Sequence, residues 1–230
     1  MVKKIRTGLS IVFLLLLVLA FTGCGKPTEG NTPEAGRCGY SVEDATKTRL
    51  EFTHKPQRIV SLGLSVDEIL LDMVDTKRIA ALTYLADDPG ISPAADKAKA
   101  VKGRVQSGSL ESVLAQKPDL VLVPDWTDLN FVELLRSAKL QVYVYKTPTT
   151  IKEIRKTIIE LANVVDERVA GGKLIAMMDK ELAFVNTKVG NIKDEEKLKV
   201  MAISYMGPFG VKGTTFDDIC RYARVRNMVA

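Results

Sequence analysis

Reactive side chains are few in this sequence and widely spaced. It holds one histidine, His54, and three cysteines, Cys24, Cys38 and Cys220. Nucleophilic or acid–base chemistry needs a base within reach of a nucleophile. A metal site needs several His, Cys or carboxylate ligands at short spacing. His54 has no His or Cys neighbour and falls in a predicted hairpin, so it reads as a surface residue. There is no G-x-S-x-G, no phosphate loop and no G-x-G-x-x-G after the first core strand. Asp87-Asp88 and Asp217-Asp218 place acids side by side, but adjacent residues do not face each other and ordinarily cap helices or sit in solvent. The pattern points away from an enzyme and to no metal or cofactor.

The one cysteine in a chemically telling context is Cys24. Lys3, Lys4 and Arg6 form a basic start, and Ile11 to Phe21 is an apolar run too short to span a bilayer comfortably. The run ends in Ala20-Phe21-Thr22-Gly23-Cys24, which resembles a lipobox. In that reading residues 1–23 are an export signal removed after Gly23, Cys24 is diacylated on sulfur, and the acyl chains hold the protein at a membrane surface. Loss of the signal lowers the net charge from +5 to +2, so the basic balance lends no support to nucleic-acid binding. A disulfide between Cys38 and Cys220 is chemically permitted outside the cytoplasm.

The elements that would position a site follow. Residues 24–40 are rich in Gly, Pro, Thr and Glu and predict a flexible tether. Residues 41–54 alternate polar and apolar side chains, as a short hairpin does. From Arg58 the pattern becomes strand, helix, strand. Ile59-Val60-Ser61-Leu62, Arg78 to Leu82, Asp119 to Val123 and Gln141 to Tyr145 read as buried strands. Ser65, with Glu68 three residues on, predicts the N-cap of a helix over 66–74. Ser109 starts a short helix stopped by Lys117-Pro118, and Asp128 to Ala138 is amphipathic. Residues 150–197 hold about forty residues of helical periodicity, renewed after Asp166, which suits a connector between two lobes. Lys199 to Ser204 is the next strand, and Thr214 or Thr215 begins its helix. The alternation predicts an α/β fold with a lobe over 41–149 and a second over 198–230.

Several segments together resemble one family. They are Lys55-Pro56-Gln57-Arg58-Ile59-Val60-Ser61-Leu62, Asp67-Glu68-Ile69-Leu70, Gly103, Leu110-Glu111-Ser112-Val113-Leu114-Ala115-Gln116-Lys117-Pro118-Asp119-Leu120-Val121, and Thr215-Phe216-Asp217-Asp218-Ile219-Cys220 followed by Arg226-Asn227. The family is the class III periplasmic binding proteins, which serve ABC importers of iron-siderophores, haem and cobalamin. The resemblance covers roughly residues 44–230. It implies two Rossmann-like lobes joined by a long helix, with a ligand in the cleft between them, at the carbonyl ends of the strands.

On that resemblance Leu64, Ser65, Tyr84, Arg104 and Trp126 would face ligand from the first lobe, and Tyr205 and Phe209 from the second. Tyr84 and Trp126 would stack on a planar or apolar ligand, and Arg104 would pair with an anionic group. Glu111 falls where the family docks an exposed glutamate against its permease. The implied partners are a metal chelate (an iron-siderophore, haem or cobalamin), a permease dimer with its ATPase, and the membrane through the lipid, with the protein itself a monomer. Cobalamin, haem or a molybdate-type oxyanion is the alternative cargo. A catalytic α/β protein and a surface interaction module without a ligand are alternatives from other classes.

Two features depart from the family pattern. Arg224 stands where glycine is common. The stretch from Arg58 to Thr147 has 90 residues and that from Leu198 to Ala230 has 33, which on the resemblance implies an incomplete second lobe with one certain strand and one helix.

The reading of Cys24 has a direct chemical test. Labelled palmitate is expected to enter the wild type and not Cys24→Ser; equal labelling of the two would refute lipidation at this residue.

Overall fold

The computed structural model describes residues 39–230. The signal segment, Cys24 and Cys38 lie outside the described residues, and with them the lipid site and the Cys38–Cys220 pairing.

Strands β1 (Tyr40–Glu43) and β2 (Arg49–Phe52) form the expected antiparallel hairpin, with Tyr40 opposite Phe52 and their rings stacked at 5.0 Å. Its turn is organised by Asp44, whose Oδ1 accepts the backbone N–H groups of Thr46 and Thr48 at 2.8 and 2.9 Å. Its Oδ2 accepts from Arg136 at 2.7 Å and from the backbone N–H of Val144 at 3.2 Å. One buried carboxylate therefore fastens the hairpin to the sheet edge beside it.

The main sheet has five parallel strands, β3 (Ile59–Ser61), β4 (Ile79–Thr83), β5 (Gly103–Val105), β6 (Leu120–Pro124) and β7 (Val142–Tyr145). Their spatial order is β5-β4-β3-β6-β7. Both faces are covered, so β3, β6 and β7 are buried at every position, and apart from Ser61 they read as apolar runs. Helix α1 (Leu64–Met73) packs on one face with Leu70, Leu122 and Leu161 in its core. Helices α3 (Leu110–Leu114) and α4 (Leu129–Ser137) cover the other with Val113, Val132 and Leu135 against Val121 and Val123. The short α2 (Ala95–Ala98) lies on the crossover to β5.

The chain leaves β3 toward β4 and β5, then returns to place β6 on the other side of β3. At that reversal the two most recognisable sequence segments meet. Asp119 accepts the backbone N–H groups of Gln57 and Arg58 at 2.6 and 2.8 Å, and its own N–H donates to the Arg58 carbonyl at 3.0 Å. The Arg58 guanidinium turns back to the carbonyls of Gln116 and Lys117, at the end of α3.

Three helices end in the same way. The chain after α4, α5 (Ile151–Val164) and α7 (Thr215–Tyr222) turns through the left-handed region at Lys139, Asp166 and Arg224, with φ of 61°, 53° and 55°. Each makes the paired bonds of a Schellman stop, such as Val225 N–H to the Cys220 carbonyl and Arg224 N–H to that of Arg221. Glycine is the usual residue there; the expected ends at Ala138 and Asp166 come from the apolar periodicity instead. The expected N-cap at Ser65 is also corrected. Gly63, in extended backbone, is the N-cap, and Ser65 lies inside the first turn. A Cβ at residue 63 would run into the Tyr145 hydroxyl, so glycine is required by close approach, and no side chain caps this helix start.

Helices α5 and α6 (Arg168–Val189) pack where Gly171 meets Ala162, a contact too close for any side chain at 171. Arg78 braces the turn between them, donating to Pro56 O at 2.8 Å, Val165 O at 2.7 Å and Glu167 Oε1 at 2.5 Å. Among the described residues no helix is long and apolar enough to cross a membrane.

The region after α6 is richer than the expected single strand and helix. Strand β8 (Lys199–Val200) pairs in parallel with β11 (Arg226–Asn227), and β9 (Ala202–Ser204) with β10 (Gly207–Phe209) forms an antiparallel hairpin. Strands of two or three residues, one holding Gly207-Pro208 and one Arg226-Asn227, carry no apolar run to reveal them. Asp218 on α7 is buried and accepts the backbone N–H of Ile151 at 2.6 Å, filling an open donor at the start of α5.

Asp119→Ala is expected to lower unfolding free energy by about 2 kcal/mol, from the loss of two charge-assisted bonds. Urea denaturation measures it. A change within 0.5 kcal/mol, the range of a neutral surface substitution, would show that the reversal is held by packing alone.

Candidate functional site

All five main strands run the same way, so their carboxyl ends and the following loops share one edge. Leu64 and Ser65 open α1 after β3. Tyr84 begins a 3₁₀ turn, Tyr84–Asp87, directly after β4 and is 62% exposed. Trp126 lies in the turn after β6 and is 68% exposed. That turn is closed by Thr127 N–H to Pro124 O and tied sideways by Asp125 N–H to Tyr145 O, both at 3.0 Å. Two aromatic side chains are thus offered to solvent from short, backbone-bonded turns.

Beneath them is a polar group that sequence reading passed over except as the acidic start of a helix. Asp67 is fully buried in the first turn of α1, and its Oδ2 accepts from the N–H and hydroxyl of Thr83 at 3.0 and 2.5 Å. Its Oδ1 is buried without a hydrogen-bond partner. Burial pushes the carboxyl up from the ordinary value of 3.8 to about 7, and the hydroxyls of Thr83 and Ser61 offset this only in part. Tyr145, also buried, is raised well above its ordinary value by the same cause. The signal available in the sequence was an acid between Val66 and Ile69 on a helix otherwise apolar on that side.

Arg104 lies in a strand and not in a loop beyond one. It lies in the middle of edge strand β5, paired in register with Leu82. Its Nε and Nη2 grip both oxygens of Asp87 at 2.7 and 2.5 Å, and its remaining donors reach the carbonyls of Ala98, Val101 and Gly103. All three guanidinium nitrogens are committed to the protein itself. Arg104 holds the Asp87 carboxyl below its usual range and braces the turn that carries Tyr84. Its pattern in sequence, a charged residue between Gly103 and Val105, does not distinguish a brace from a ligand contact.

Tyr205 and Phe209 belong to the β9–β10 hairpin. Tyr205 is in its turn, 99% exposed, and the Phe209 ring sits 6.2 Å from that of Phe216. The structure therefore brings Leu64, Ser65, Tyr84 and Trp126 to one edge, turns Arg104 to Asp87, and sets Tyr205 and Phe209 on a separate element. Glu111 is exposed in the first turn of α3, where its Oε2 accepts from the Ser109 hydroxyl at 3.3 Å. Among the described residues no three His, Cys, Asp or Glu side chains gather as a metal site would need.

A family model described as "Periplasmic binding protein" matches residues 59–230. A protein of Halobacterium salinarum named "Cobalamin-binding protein" is 25% identical over 155 residues, 64% of this chain, and the match spans only 40% of that protein's length. Among solved structures, a possible iron-binding (periplasmic solute-binding) protein from Staphylococcus epidermidis is similar with a TM-score of 0.62 and 21% identity, over 76% of this chain and 67% of that one. The periplasmic vitamin B12 binding protein BtuF of Vibrio cholerae gives 0.58 and 18% over the same shares. At these identities the structures establish likeness of fold.

The buried acid makes stability depend on pH in a defined direction. Its carboxyl titrates higher in the native protein than in the unfolded chain, so native stability from this group is full below pH 4 and declines as pH rises toward about 7. Asp67→Asn cannot ionise. It is expected to exceed the wild type in thermal stability at pH 8, by on the order of 3 kcal/mol, with the difference shrinking toward pH 4. Melting curves across that range check it; a pH-independent difference would contradict the assignment.

Proposed function

The chain belongs to the class III periplasmic binding proteins of ABC importers, and we propose that it works outside the cytoplasm, lipid-anchored through Cys24, capturing an iron-siderophore or related metal chelate for a permease. The observation that carries the reading is the pair of exposed aromatic side chains, Tyr84 and Trp126, fixed on short turns at the carboxyl edge of a parallel sheet. Large solvent-facing aromatics on a rigid frame suit the apolar and π surfaces of an organic chelate. Because Arg104 is consumed by Asp87 and backbone carbonyls, recognition from this lobe rests on stacking and shape more than on charge. That favours a chelate with an organic framework over a bare oxyanion. Cobalamin is the second reading, favoured by the names of the Halobacterium and Vibrio proteins.

In this reading Tyr205 and Phe209 close on the ligand from the second lobe. Glu111 meets the permease, since it projects from a helix after edge strand β5 and not from the turns bearing Tyr84 and Trp126.

Native mass spectrometry against a panel of ferric siderophores, haem and cobalamin tests capture. One-to-one retention of a panel member is expected, with Trp126→Ala weakening it roughly tenfold, the effect of one good stacking contact. Failure to retain any member, or unaltered affinity in Trp126→Ala, would count against the aromatic edge as the site. Glu111→Ala is expected to reduce uptake in cells while ligand affinity stays unchanged; equal loss of both would move Glu111 into the ligand site.

A further inference from the structure

A groove open to solvent lies where α5, α6 and α7 meet. It has a volume of about 750 Å³ and is lined by three arginines, one from each of α5, α7 and the stop after α7. Arg155 directs Nε and Nη2 to a single oxygen of Asp179, at 2.8 and 2.5 Å. Arg221 pairs with the buried Asp218 but is itself 65% exposed. Arg224 donates from Nη2 to the Gly190 carbonyl at 3.0 Å, while its Nε is buried with no hydrogen-bond partner.

Cations outnumber acids in the lining itself, while Asp217 and Asp194 lie within electrostatic reach of Arg221 and Arg224 from outside it. Three guanidiniums face the groove; Asp179 is the acid in its lining, and Asp218 holds Arg221 from beneath. Each guanidinium has five donors, and these partners use a minority of them. Guanidiniums converging from different elements recognise phosphate and carboxylate oxygens through paired, charge-assisted bonds. Leu182 and Ala183 add an apolar wall on one side, and Tyr222 an aromatic group. The volume exceeds that of a simple inorganic anion and suits a small organic molecule bearing such groups.

We propose that this junction is a binding site for a small polyanion of the phosphate- or carboxylate-bearing class, distinct from the chelate site. An occupant held by Arg155, Arg221 and Arg224 would bridge α5 to α7 and tighten the attachment of α7 to the connector. The bland account is that the arginines only staple α7 to α5 and α6, in which case added anions would gain nothing.

The two accounts separate in one set of measurements on the full chain. Inorganic pyrophosphate and, separately, citrate are titrated by calorimetry, with melting curves in sodium chloride of matched ionic strength. Saturable binding of one per chain is expected for at least one probe, with Tm raised by about 5 °C at a hundredfold excess over Kd. Arg221→Gln and Arg224→Gly are each expected to weaken binding by roughly tenfold or more. Arg224→Gly is a clean variant because its left-handed backbone suits glycine, so its ligand-free Tm should stay within a few degrees of the wild type. No saturable heat with either probe, an equal rise in sodium chloride, or unchanged affinity in both variants overturns the proposal.

Discussion

The clamp between Asp119 and the chain before β3 sets the geometry of the main sheet. Parallel strands have no tight turn to fix their register. Here the strands on either side of the reversal are also apolar on both faces, so a slip of one residue would not expose a polar face as it would in a half-buried strand. Something other than hydrophobic patterning must choose the alignment. Asp119 does so by accepting the N–H groups of two consecutive residues, Gln57 and Arg58. Arg58 answers by binding the carbonyls that end α3. These contacts join residues about sixty apart in sequence and bring the two segments together. Once β3 and β6 are aligned, the turns after β3, β4 and β6 end at one level, which is what creates an edge with a shared site.

That edge is stiffened from below rather than by contacts among the exposed rings. Asp67 fixes Thr83, the residue that leads into the turn beginning with Tyr84, and Asp87 at the other end of the same turn is gripped by Arg104. A side chain presented on such a turn loses little conformational freedom when it meets a ligand, so more of the contact energy appears as affinity. The buried carboxyl is the cost of the arrangement. Its unpartnered oxygen makes the charged form unfavourable, and the native state tolerates it because two donors from Thr83 meet the other oxygen.

How much of this was legible in the sequence depends on the kind of interaction. Buried parallel strands announce themselves as unbroken apolar runs, and Leu120 to Val123 could hardly be anything else. Helix starts with Ser109, Asp128 and Thr214 were visible because those side chains cap through local bonds. Ser65 misled because the close approach of Tyr145 demands glycine at 63, and Gly63 took the cap position. Arg104 misled because its partners, Asp87 and the Ala98 carbonyl, are set by the crossover and not by neighbouring residues. The short strands β8 to β11 were reduced to one because two-residue ladders are decided by what lies across from them. The aromatic residues of the edge were legible by type and place, whereas the buried Asp67 beneath them was not, since its meaning lies in lacking a partner.

The two ends of the described chain are held by different physics. In the first lobe, fully buried Ile59, Leu70, Leu120, Leu122 and Leu135 carry the fold. Among residues 198–230, only Asp218 and Cys220 are buried, while Leu198, Ile203 and Val211 are exposed. The attachment of that region is consequently polar: Asp218 fills the open N–H of Ile151, and Arg224 reaches the Gly190 carbonyl at the end of α6. Polar ties of this kind are directional but individually modest, about 1 kcal/mol each for neutral partners and more where a charge takes part. They fix where α7 sits without supplying much cohesion, and they leave its position responsive to charge at the junction. Helices α5 and α6, by contrast, cross so closely at Gly171 and Ala162 that no side chain fits between them, and the polar ties of α7 attach to that packed pair.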